Sequence, residues 1–208
     1  MNKYAYTKEE IKLFKRLSSP QKIQDYLNAL TFNFEENGET CMSPREVIKS
    51  KKAHCMEGAM FASAVLEFHG RKPLVLDLRS VKKPFDYDHV VTIFTRFGCF
   101  GAISKTNHAV LRYREPIYKS VRELVTSFFH EYYLENGKKT LRQYSDPFDL
   151  SYFDKINWRT SPNDLSLIPE HLDKIKHYPI LSKKQIKNLR KVDKIEIKAG
   201  DIEEYKPN

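Results

Sequence analysis

SPREVIKSKKAHCMEGAMFASAVLEFHG, residues 43–70, contains two helix starts and the most apolar helix of the chain. Ser43 is an N-cap, Pro44 takes the first helical position and Glu46 closes a capping box, so a short helix begins here and ends in the basic SKKAH. From Cys55 to His69 the residues Ala59, Met60, Phe61, Ala62, Ala64, Val65, Leu66 and Phe68 make a helix apolar nearly all round, which predicts the central buried helix, with Gly70 as its stop. Cys55 falls in the first turn. Unpaired N–H groups and the positive end of the macrodipole favour thiolate there, and Lys51, Lys52 and His54 stand just before it. Such a cysteine is either a nucleophile whose oxyanion meets its own amide or a small buried residue. His54 is expected to be an exposed neighbour, and Glu57 a first-turn acid favoured by the dipole.

Downstream the hydrophobic period changes. Pro73–Leu78 and His89–Phe94 are short aliphatic runs that read as strands, and Arg96-Phe97-Gly98 turns into a third, Cys99–Ile103. The middle run is apolar on both faces, Val91 and Ile93 on the side of His89, Val90 and Phe94 on the other, which predicts an interior strand. Upstream, Thr7 and Glu10 form a capping box before Ile11, Phe14 and Leu17. Pro20 interrupts, a second helix runs through Ile23, Leu27 and Leu30, and Asn37-Gly38 marks a turn in a polar loop. Ser120–Tyr133 reads as a helix capped by Ser120 and Glu123, and two short strands flank Asp146-Pro147. Residues 158–208 read as a C-terminal helical appendage packed through Trp158, Leu167, Ile168, Leu172 and Ile175. Within it one helix is expected from Pro169 to about Tyr178 and a basic one from Ser182.

With 208 residues the chain is long enough for one sizeable core. No apolar run suits a membrane helix, and the N-terminal residues lack the apolar core of a signal peptide, so a cytoplasmic protein is expected. Cys41, Cys55 and Cys99 are odd in number and widely spaced, which argues against a disulfide framework and structural zinc; no metal or cofactor is called for. A net charge of +9 leaves nucleic acid open as a partner, but Lys and Arg are spread along the chain, which does not favour it.

A histidine in a strand buried on both faces needs a polar partner. If the helix starting at Cys55 packs on the sheet, His89 can meet Cys55 as general base. With Phe97-Gly98 as a two-residue turn, Arg96 faces Cys99 and Ser104 is the diagonal neighbour of His89 on the same face, with Asn107 the candidate if the register slips. Asp88 points to the opposite face.

His54-Cys55 with Ala59, Leu66 and Gly70, the strand to Leu78, Asp88-His89-Val90, and Phe100 in the place of a usual Trp together resemble the transglutaminase-like superfamily. The resemblance runs from Phe32 to Asn107 and includes the upstream Ser43, Pro44 and Glu46. It implies a papain-like α+β fold, a transglutaminase-like domain over 1–157 with its core at 32–135, and cysteine-dependent acyl transfer by Cys55 and His89 on a peptide or protein substrate. Where that family carries the Asp that orients His, this chain has Ser104, which brings no charge, and papain-like enzymes use a neutral Asn in that role, for which Asn107 is the candidate. An Asp introduced at position 104 is therefore expected to preserve or raise turnover. The competing readings are a catalytically idle binding module of the same fold and a basic nucleic-acid-associated protein in which Cys55 and His89 are core.

Overall fold

The Thr7 hydroxyl accepts the Glu10 amide while the Glu10 carboxylate takes the Thr7 N–H, and this reciprocal cap starts α1 (Lys8–Arg16). Ser19 caps α2 (Pro20–Asn28), which carries proline in its first turn. The computed structural model that gives these elements describes residues 4–36 and 38–206; Asn37, half of the expected Asn37-Gly38 turn, lies outside the described residues. Two short strands, β1 (Thr31–Phe32) and β2 (Lys52–Ala53), pair in parallel on either side of α3 (Pro44–Ser50) and lead the chain into α4 (Cys55–Phe68). Ser43 caps α3 as expected, but the Glu46 carboxylate does not close a box: it pairs with Lys49 at 2.7 Å. Every residue of α4 from Met56 to Leu66 is buried.

The sheet is seven-stranded and antiparallel throughout. It comprises β3 (Leu74–Arg79), β4 (His89–Arg96), β5 (Cys99–Ile103), β6 (Arg114–Tyr118), β7 (Gln143–Ser145), β8 (Phe148–Asp149) and β9 (His177–Pro179). Their order is β6-β5-β4-β3-β7-β9, with β8 also pairing to β3. Arg96 faces Cys99 across the two-residue turn, and Phe97 and Gly98 both take positive φ, 55° and 71°. On one face of the sheet the Thr92 hydroxyl donates to the Ala59 carbonyl of α4 and meets Ser63 at 3.1 Å. On the other, Leu76, Leu78, Val91 and Ile93 pack with Leu124 and Val125 of α5 (Val121–Thr126). Helices thus cover both faces, where helices on one side only were expected. The helix foreseen to Tyr133 ends at Thr126 and is followed by a 3-10 turn at Phe129–Glu131.

Residues 158–208 contribute α6 (Leu167–Leu172), β9, α7 (Lys183–Lys187) and α8 (Lys194–Gly200). Trp158, Leu165, Ile168 and Leu172 share one apolar cluster with Met56, Met60 and Val75, so this segment is knit into the same core as α4 and the sheet. Leu167, expected in the packing, is exposed, and α6 stops at Leu172 because His177–Pro179 joins the sheet opposite β7. Buried Arg159 grips Glu67 of α4 with two guanidinium nitrogens and Asp154 with a third at 2.7 Å. Among the described residues no helix is long and apolar enough to cross a membrane.

Candidate active site

Because α4 runs along β4 with Ala59 over Thr92, the turn before Ala59 sets Cys55 above the start of that strand, where His89 stands. The site lies at this end of the sheet, where β4 begins and the chain leaves β5. Gly58 permits the closeness: a Cβ there would lie 2.5 Å from Cβ of Lys105, so only glycine lets α4 approach the segment after β5 that carries Ser104.

His89 is buried, and its Nε2 lies 2.8 Å from Oγ of Ser104. The Ser104 hydroxyl has one proton, and it goes to the Leu111 carbonyl at 2.7 Å, which can only accept. Ser104 must therefore accept from His89, which puts the proton on Nε2 and leaves the Nδ1 lone pair of neutral His89 free. The backbone of Ser104 is itself held from both sides, its N–H and carbonyl bonded to the Gln24 side chain at 2.9 and 2.7 Å.

Cys55 is partly exposed and both other thiols are buried. Burial acts to raise the Cys55 thiol, but hydrogen bonding with His54 and with His89, and their charge, carry it well below its ordinary value. At Cys41 burial meets no such partner; with Glu57 and Asp164 nearby it pushes that thiol up, away from reactivity. Cys55 also sits at the first helical position, and among the described residues no group accepts its backbone N–H.

His54 corrects the expectation of an exposed neighbour. It is the N-cap of α4: Nε2 donates to the Thr40 carbonyl at 2.9 Å and Nδ1 accepts the Met56 N–H at 3.3 Å. Its ring lies 3.5 Å from Glu57 and 3.8 Å from Glu35. Burial lowers the affinity of this imidazole for a proton, but Cys55 and then Glu57 outweigh it and push the pKa up to about 9. Glu57 is likewise more than a first-turn acid. Wholly buried, its carboxylate takes the His54 and Met42 N–H groups, the Thr40 hydroxyl and the Asn33 amide, which ties the 33–42 loop to the helix end. The spacing His54-x-x-Glu57 was the available signal, since it is a capping box with histidine as the cap.

Asn107, the second candidate for orienting His89, is not brought to it. Its Nδ2 donates to the Tyr205 carbonyl and its Oδ1 accepts the Tyr205 N–H, both at 2.9 Å, so the side chain is spent on strapping down the C-terminal segment. Asp88 points away from His89 as expected, taking the Ser80 N–H at 2.7 Å. Among the described residues Asp77, Asp88 and Asp173 stand close enough to share a cation, but the guanidinium of Arg79 lies within 3.9 Å of all three and already supplies the charge. A recess at the other end of α4, lined by Leu66, Leu74, Ile93, Phe94 and Phe100 with Arg71, Lys72 and Thr95 at its polar side, contains neither a cysteine nor a histidine. No family model matches the chain, and no curated protein is significantly similar to it.

Proposed function

We propose that the chain is a cysteine-dependent acyl-transfer enzyme of papain-like, transglutaminase-like architecture, acting on a peptide or protein and, in its simplest cycle, hydrolysing an amide bond. The observation that supports this most is the orientation of His89: a hydroxyl whose own proton is committed to Leu111 leaves the imidazole with Nδ1 unprotonated beside a thiol at a helix start. His89 takes the thiol proton at Nδ1, and the Cys55 sulfur attacks the substrate carbonyl. The uncommitted Cys55 N–H donates to the oxyanion. His89 then passes the proton to the leaving amine, and neutral again, it accepts a proton from the water that cleaves the thioester. The test is acylation by p-nitrophenyl acetate. The reading expects a burst of nitrophenolate and an acetyl group mapped to Cys55, both absent in Cys55→Ala and slowed about a hundredfold or more in His89→Ala. Equal nitrophenolate release from all three proteins would overturn it.

A further inference from the structure

Ser104 orients His89 but cannot offset the positive charge that His89 gains when it takes the thiol proton. The thiolate formed at the same moment needs a cation as well. A second imidazole adjoins Cys55 in the chain and bonds its side chain, that of His54, and unlike His89 it has carboxylates of its own: Glu57 at 3.5 Å and Glu35 at 3.8 Å. Its geometry admits two states. Nε2 is a donor in both, because the Thr40 carbonyl can only accept. In the neutral state Nδ1 accepts the Met56 N–H at 3.3 Å. In the protonated state Nδ1 turns donor and gives up the Met56 N–H, and Cys55, the adjoining residue, is the side chain that bonds the ring.

We propose that His54 is the resident charge partner of Cys55: held as an imidazolium by Glu57 and Glu35, it donates to the sulfur and stabilises the thiolate, supplying the charge that the site lacks at Ser104. This rests on Cys55 being the nucleophile. No bond to substrate is involved; the proton that leaves Sγ goes to His89, and His54 keeps its own. The groups that face His54 are Cys55 on its own helix, Glu57 one turn on, Glu35 from the preceding loop, and Asp164, whose carboxylate takes the Cys41 N–H and feels the His54 charge. Three of these four are carboxylates and the fourth is the thiol, so these charges favour the imidazolium. Burial, the helix N-terminus, loss of the Met56 N–H bond and the charge that His89 gains on the same sulfur oppose it.

His54→Asn separates the charge from the cap, since the Asn oxygen accepts the Met56 N–H as a good N-cap does. Thiolate absorbance, taken as the difference from Cys55→Ala, is titrated in the parent and in His54→Asn. The expected result is a midpoint about one pH unit or more higher in His54→Asn, with iodoacetamide alkylation of Cys55 near pH 6 slowed about tenfold. Overlapping titrations in a folded His54→Asn protein would overturn the proposal. Should that variant not fold, the His54 ring is titrated by nitrogen NMR in the parent and in Cys55→Ser. Loss of the thiolate must lower the His54 midpoint, and equal midpoints would sink the idea. A shifted thiolate midpoint in a protein that never takes an acetyl group upholds the charge partner and refutes acyl transfer instead.

Discussion

His89 and His177 are each paired with a polar side chain away from water, and the two pairs are built for different ends. At the start of β4, His89 has a hydroxyl for a partner and a thiol on its other side. At β9, His177 has a carboxylate, Asp77, at 2.8 Å, and its Nδ1 is committed to the Ile175 carbonyl at 2.9 Å. Because that carbonyl only accepts, Nδ1 carries a proton in every state, and Nε2 is taken up by Asp77. Burial pushes the Asp77 carboxyl up against the opposing pull of His177, and both side chains are nearly sealed from water. The His–Asp pair that resembles catalytic machinery therefore has no ring nitrogen left for chemistry. The His–Ser pair that looks deficient has one. What distinguishes a reactive imidazole here is an uncommitted nitrogen beside a nucleophile, not the charge of its partner.

Exchanging the damage between the two pairs should give the largest effects. His89→Ala is expected to slow Cys55 acylation about a hundredfold or more while leaving the urea midpoint nearly unchanged. Asp77→Ala should do the reverse, lowering stability by about 3–5 kcal/mol because it strands a buried His177, with Cys55 alkylation in the folded fraction unaffected. Loss of thiol reactivity in Asp77→Ala would erase the distinction.

Next in size is the partner of His89. Ser104→Ala removes both hydrogen bonds of the hydroxyl, and loss of the one to His89, worth about 1 kcal/mol, should slow acylation about fivefold. Against the expectation from sequence that Asp would serve as well or better stands Leu111, whose carbonyl at 2.7 Å takes a proton from Ser104 and would face a carboxylate instead. Asn meets both demands, its oxygen accepting from His89 and its nitrogen donating to Leu111. The expected order of acylation rates is parent and Ser104→Asn first, then Ser104→Ala, with Ser104→Asp poorest and least stable.

The smallest effect concerns Lys105, buried next to Ser104, with its Nζ donating to the Leu30 carbonyl. Burial depresses its pKa from 10.5 to about 8, so the unfolded chain holds this proton more tightly than the folded one. Stability should therefore rise with pH from about 8 towards 10.5, the full penalty standing below 8, and Lys105→Met should flatten that slope in urea midpoints measured across the window. An unchanged slope would mean that Lys105 does not titrate in the fold.

Much of this arrangement was legible before any coordinates. The apolar run after Cys55, the Phe97-Gly98 turn and the diagonal from His89 to Ser104 all follow from periodicity and local turn chemistry, which is short-range information. The roles that escaped depend on long-range partners. Asn107 could be assigned only once Tyr205 was seen to occupy it, ninety-eight positions later in the chain. His54 was misread because histidine is an unusual cap, although Glu57 three residues on was the sign of a box, and Asp193 with Glu196 marks α8 in the same way. Strand alternation was also a poor guide to one contact. It assigns His89 to the face of Val91 and Ile93, away from α4, yet as the first residue of β4 its ring still meets Cys55 at the end of the sheet.

The most direct test is where a limiting amount of iodoacetamide goes in the folded protein near pH 6. The account predicts that mass mapping finds the label on Cys55, with Cys41 and Cys99 untouched at 1% and 7% exposure. Label on Cys41 or Cys99 with Cys55 silent would contradict it.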